Sequence, residues 1–167
     1  ARQVFRNAIA SGETLDSRKF AELLKRYPVR PKAYKYDQSS RDARATRRAT
    51  HLLSLFGESN FNRFLELGCG DAMVSCMLAR AGRTAAAIDL NADDDFDEKS
   101  ATGVDQRARV AGVEYKQMDA HNLNYPEGAF DVVFSYNSFE HFPEPMTVLS
   151  ESHRVTRVGG RIYLKFA

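Results

Sequence analysis

Tryptophan is missing from the chain's 167 residues, and cysteine occurs only twice, at Cys69 and Cys76. Two thiols with no Cys/His cluster near them give neither a disulfide framework nor a zinc finger. They fit a reducing cytoplasm. No apolar run approaches the ~18 residues of a membrane span, and the opening ARQVFRNAIASGE lacks the apolar core of an export signal. No repeat or low-complexity tract is visible. Neither sign of charge dominates, because 24 Lys+Arg stand against 22 Asp+Glu. With 43% hydrophobic residues, the chain has the composition of one folded, soluble domain rather than a disordered one.

The charge is unevenly spread. Residues 1–50 carry 13 Lys+Arg and 5 Asp+Glu, whereas the rest carries 11 and 17. Such a basic half meets nucleic acid, an acidic small molecule, or the acidic half of its own fold. The run Asp93, Asp94, Asp95, Asp97 and Glu98 lacks the glycine and spaced ligands of a calcium loop and reads as an exposed loop.

Hydrophobic spacing then organises the chain. Asp16 can cap a helix bearing Phe20, Leu23, Leu24 and Tyr27 on one face, stopped by Pro28 and Pro31. A second helix is expected over 40–56, with Ala45, Ala49, Leu52, Leu53 and Phe56 on one side and Gly57 as its stop. Short apolar runs follow, alternating with helical stretches. Strands are expected at 64–67, 84–89, 114–118, 130–136 and in RIYLKF, with helices over 72–81, 103–111 and 145–157. The pair Gly159-Gly160 marks a turn before the last strand. Strands alternating with helices predict a parallel α/β sheet, three layers deep, with helices on both faces. Residues 1–57 form an N-terminal helical segment and 58–167 the sheet domain.

In such sheets the ligand lies beyond the carboxyl ends of the strands. That places Gly68-Cys69-Gly70-Asp71, Asp89, Asp119 to His121 and Ser135 to His141 around one site. Alternate glycines let the first turn bend sharply and approach a ligand. The turn is not a complete phosphate fingerprint: Met73 stands where a dinucleotide site wants Gly or Ala, and no GK[ST] follows. Glu66 and Asp71 flank the turn with negative charge, which repels a pyrophosphate and suits a cationic ligand. Asp89, ending its strand, can accept hydrogen bonds from two ribose hydroxyls. Asp119 closes the third strand. Each carboxylate alone would equally serve as a cap or turn former.

FLELGCGDA, AAAIDLN, YKQMDAHNL, FDVVFSYNSFEHF and HRVTRVGGRIYLKF resemble the successive motifs of class I S-adenosylmethionine-dependent methyltransferases, in the branch holding the ubiquinone and menaquinone enzymes. The resemblance implies a Rossmann-like sheet of order 3-2-1-4-5, lacking the family's last two strands, so that the C-terminus reads as cut and strand five as an edge needing an oligomer or partner. It implies S-adenosyl-L-methionine as cofactor. Glu66, Gly68, Cys69, Gly70 and Asp71 would shape its methionine pocket and Asp89 would hold the ribose. Leu90 would pack on the adenine, Asp119 and Ala120 would face its edge, and Ser135, Tyr136 and Asn137 would close over the methionine part. The implied activity is methyl transfer to a small-molecule acceptor by in-line displacement. Two alternatives stand beside it: an RNA methyltransferase using the basic half, and a non-catalytic cofactor-binding module.

His141 is the candidate general base, since an imidazole titrates in the physiological range; a cap or packing role is the alternative. Some relatives bind a divalent metal through ExxEH at this place. Here Asn137 replaces the first carboxylate of Asn137-Ser138-Phe139-Glu140-His141, and no metal is expected. The N-terminal helices, with Tyr34, Tyr36 and Arg41, form an expected lid over the acceptor.

Overall fold

A computed structural model describes residues 38–57, 60–90 and 104–166. The expected helix capped by Asp16, the acidic run at 93–98, and Tyr34 and Tyr36 lie outside these residues. The described elements are α1 (Gln38–Phe56), β1 (Arg63–Leu67), α2 (Met73–Arg80), β2 (Thr84–Asp89), α3 (Val104–Ala111), β3 (Glu114–Gln117), β4 (Phe130–Tyr136), α4 (Pro145–Val155) and β5 (Thr156–Lys165). The five strands form one sheet of order β3-β2-β1-β4-β5, and every pairing is parallel.

Alternation along the strands sorts side chains into two layers. Phe64, Ala85, Ala87, Val132 and Phe134 face α1, α2 and α3, which contribute Ala45, Ala49, Leu52, Cys76, Leu78, Val104 and Ala108. Leu65, Leu67, Ala86, Ile88 and Val133 face the other way, onto Val148 and Val155 of α4. Central strands covered on both faces read as unbroken apolar runs, and all seven residues of β4 are buried. Helix α1 ends at Phe56, and the residue that follows is glycine for a steric reason. A Cβ there would sit 2.3 Å from the Leu53 carbonyl oxygen, to which the Gly57 amide donates at 2.7 Å.

Two boundaries differ from the sequence reading. The helix expected to reach residue 157 stops at Val155, and β5 begins directly at Thr156 and runs through Gly159 and Gly160. The glycines are therefore an irregularity inside a strand, not a turn before one. Phe130 pairs with Thr156, yet Val132 pairs with Arg161, so β5 spends extra residues on a bulge. A Cβ on Gly160 would approach the Asp131 carbonyl oxygen to 2.7 Å, which explains why glycine stands where the bulge folds back. Asp131 secures the same end of the sheet: its carboxylate accepts the Asn62 and Arg63 amides, both at 2.7 Å, and pairs with Arg157. The second difference is that β3 ends at Gln117. Asp119 lies two residues past the strand, in a turn it forms with His121.

Candidate functional site

The turn after β1 is wound through three left-handed residues, Gly68 (φ 64°), Gly70 (φ 53°) and Ala72 (φ 53°). An alanine in this region costs about 1–2 kcal/mol, and the surrounding contacts hold it there. The Cys69 amide donates to the Ile88 carbonyl at 3.0 Å, and the Ala72 amide to the Cys69 carbonyl at 3.0 Å. Asp71 accepts the Met73 amide at 3.2 Å and so supports the start of α2. The two glycines have different surroundings. A Cβ on Gly68 would fall 2.6 Å from Ser138 Cβ, whereas one on Gly70 would meet nothing within 4 Å. Gly68 is thus packed against the loop behind β4, and Gly70 faces open space.

Strand β2 delivers Asp89 to this turn. Its Oδ2 accepts the Gly70 amide at 2.8 Å. The next residue, Leu90, is 52% exposed, while its carbonyl accepts Gln117 Nε2 of β3 at 2.8 Å. A carboxylate and an exposed apolar side chain in succession, beside an open glycine, fit the ribose and purine of a nucleoside.

Glu66 points the other way from the open space, into the layer under α2. It is buried, and its Oε2 accepts the Ser75 hydroxyl at 2.6 Å and the Ser75 amide at 3.2 Å. Burial pushes its carboxyl up to about 7, a rise that the Ser75 bonds oppose and the neighbouring Asp71 reinforces. The full negative charge expected beside the turn is therefore shared with a proton at neutral pH. Cys69 is also buried, and desolvation, with Glu66, Asp89 and Asp71 nearby, lifts its thiol well above the ordinary range. It has the character of packing, not of a nucleophile.

The loop behind β4 completes the surroundings. Ser135 is fully buried and its hydroxyl donates to the Leu67 carbonyl at 3.0 Å. Tyr136 is buried too; its hydroxyl donates to the Arg48 carbonyl at 3.2 Å, and the Arg48 guanidinium lies 4.8 Å over its ring. Asn137 takes a left-handed φ of 56° and its amide donates to the Lys165 carbonyl at 2.7 Å. The Ser138 hydroxyl donates to the Gly68 carbonyl at 2.8 Å. A short 3-10 helix, Phe139–His141, follows. Residues three apart eclipse in such a helix, and Phe139 and Phe142 accordingly turn inward together, with ring centroids 5.8 Å apart. His141 is left exposed, its amide donating to the Ser138 carbonyl at 2.9 Å.

On the β3 side, Ala120 is buried and Asp119 is exposed. Asp119 Oδ1 meets the His121 amide at 2.9 Å and His121 Nδ1 at 2.5 Å. Partial burial works to raise the Asp119 carboxyl, but these two bonds bring it below its ordinary value.

The fold therefore brings together Gly68, Gly70, Asp71, Asp89 and the 137–141 loop. It directs Glu66, Ser135 and Tyr136 into the packing beneath. Two contributors, Ser75 and Arg48, have no place in the sequence reading, and Ser138 and His121 fall in its site turns without their bonds being foreseen. Only His121 left a local signal, the Asp-x-His spacing of a carboxylate that bonds two residues on. Among the described residues no three His, Cys, Asp or Glu side chains cluster to hold a metal, and no helix is long and apolar enough to cross a membrane.

The chain is similar to known proteins in family and fold. Residues 65–164 match the family described as Methyltransferase domain. The chain is 30% identical over 133 residues to 27-O-demethylrifamycin SV methyltransferase of Amycolatopsis mediterranei, covering 77% of this chain and 47% of that protein. It is 28% identical over 103 residues to the ubiquinone biosynthesis O-methyltransferase of Pseudomonas aeruginosa, covering 61% and 43%. The chain thus spans about half the length of the curated relatives it matches. Among solved structures, the PH0226 protein of Pyrococcus horikoshii superimposes with a TM-score of 0.66 at 23% identity, covering 86% of this chain and 62% of that one.

Proposed function

The chain belongs to the methyltransferase-domain family, and from that premise we propose that it binds S-adenosylmethionine beyond the carboxyl ends of β1, β2 and β4 and methylates a hydroxyl of a small-molecule acceptor. The observation that carries the reading is the Gly70–Asp89 pair. The amide of the open glycine is bonded to the carboxylate that ends β2, and nothing stands where a Cβ would project from Gly70. A nucleoside can lie along that face with its ribose at Asp89 and its purine against Leu90. Asp119 and Ala120 lie at the adenine edge in this reading, and Gly68, Asp71 and Asn137 surround the methionine end. The acceptor class is supported by the two relatives, one named for rifamycin and the other for ubiquinone biosynthesis.

The cofactor supplies a methyl group already activated by its sulfonium, so the chain's own task is alignment and exclusion of water. Rigid backbone serves alignment. The Ser138–Gly68 bond and the inward pair Phe139 and Phe142 fix the loop that presents His141. His141, exposed on that loop, takes the proton from the acceptor hydroxyl as general base. The two buried thiols support a cytoplasmic location.

Isothermal titration with S-adenosylmethionine and S-adenosylhomocysteine tests the reading, with a nicotinamide dinucleotide as control. Binding of the first two alone is expected. Binding of the dinucleotide instead would refute the assignment of the Gly68–Asp71 turn.

A further inference from the structure

His121 sits between two acceptors. Its Nδ1 is 2.5 Å from Asp119 Oδ1 and its Nε2 is 2.5 Å from the Pro143 carbonyl oxygen. A carbonyl oxygen only accepts, and an ionised carboxylate only accepts. Both ring nitrogens must therefore donate, which is possible only for the imidazolium. Asp119 belongs to the turn after β3 and Pro143 to the loop after β4, so one ring joins the two loops that border the site on either side.

We propose that His121 is a positioning residue: carrying a proton on both ring nitrogens, it latches the 137–144 loop to the Asp119 turn and so fixes the spacing between the Asp119–Ala120 and Asn137–His141 sides of the site. The charged groups around it favour that state. Partial burial works against the imidazolium, but the Pro143 carbonyl, the Asp119 carboxylate and the field of Glu144 outweigh it and raise the pKa. From α4 packed below, Glu151 is committed elsewhere, to the Leu123 amide at 2.8 Å and to Arg154. When the ring loses one proton, a nitrogen lone pair is left facing an oxygen lone pair at one of the two contacts. That contact must open, and the loops separate.

The link from latch to ligand rests on the cofactor reading above, and the experiment keeps the two apart. In a nitrogen-15-labelled sample of the chain, long-range proton–nitrogen spectra are expected to show both His121 nitrogens protonated on the acid side of its titration and both contacts kept there. Their deprotonation midpoint should lie above that of the same residue in the urea-unfolded chain. The affinity for S-adenosylhomocysteine is then measured against pH in wild type and His121→Asn. The ratio of the two affinities cancels titrations the proteins share, that of Glu66 included. That ratio should be about tenfold in favour of wild type below the His121 midpoint, the worth of a charge-assisted bond, and should fall toward one above it. Amide exchange at His141 and Phe142, compared at one pH below the midpoint, should be faster in the variant. A His121 midpoint no higher than that of the unfolded chain, or a ratio that stays near one at all pH values, overturns the latch. A wild-type chain that shows both protonated nitrogens but binds no S-adenosylhomocysteine upholds the latch and refutes the cofactor reading instead.

Discussion

The Gly70 amide and the Asp89 carboxylate, 19 positions apart in the chain, lie 2.8 Å from one another. One hydrogen bond thus closes the turn after β1 onto the tip of β2. Asp89 shapes the turn, so under the cofactor reading proposed above a change there alters both the turn and the ligand's seat.

Asp89→Ala should weaken S-adenosylmethionine binding by about 1.5–3 kcal/mol, the cost of a charge-assisted hydrogen bond. Asp89→Asn keeps an acceptor for Gly70 and should lose less. Calorimetry on the two variants separates turn support from charge, and equal losses would show that charge is what matters.

The two glycines of the turn should respond differently to alanine. Gly68→Ala sets a Cβ 2.6 Å from Ser138 Cβ on a left-handed backbone, and a loss of about 1–3 kcal/mol in stability is expected. Gly70→Ala has the same backbone problem but free space around it. It should cost about 1 kcal/mol in stability while reducing ligand affinity by more. Melting temperatures and titrations on both proteins check the contrast.

Glu66 gives the chain a pH-dependent stability. Its folded-state value of about 7 lies above its ordinary 4.5, so the native state holds a proton that the unfolded chain releases. The associated stability is present below about pH 4.5 and is lost as pH rises toward 7. Above pH 7 the buried charge costs on the order of 3 kcal/mol. Gln at this position can still accept both Ser75 bonds without the charge. Urea denaturation at pH 8 should therefore find Glu66→Gln more stable than wild type, with the difference shrinking toward pH 5. An unchanged difference across that range would remove Glu66 as its source.

For His141 the expected result is kinetic. His141→Ala should lower kcat by about 10²-fold with little change in cofactor affinity, because a general base acts only once the acceptor is in place. A cap or packing role would instead lower the melting temperature and leave the rate within a few-fold. Initial rates with an accepted hydroxyl compound, set beside a thermal melt, distinguish the two.

The strands at 84–89 and 130–136 were legible because central parallel strands are buried on both faces, and burial writes itself as unbroken apolar sequence. The sheet order followed from the resemblance of the motifs. What stayed hidden depends on contacts distant in sequence. The end of α4 was misplaced because Val158, Gly159 and Gly160 look like a turn, whereas pairing with β4 carries the chain through them as a bulge. From sequence alone Glu66 reads as a charge beside the turn, and only its bond to Ser75 on the first turn of α2 shows that it faces inward. His121 needed Pro143, 22 residues away, to become visible.

The Tyr136 ring lies 5.5 Å from that of Tyr163 on β5, and its hydroxyl is tied to the backbone of α1. Because the chain contains no tryptophan, its near-ultraviolet circular dichroism arises from tyrosine and phenylalanine alone. A chiral signal from this immobilised pair will report, without any label, whether α1 is docked against the sheet. The protein carries its own optical gauge at the seam between α1 and the sheet.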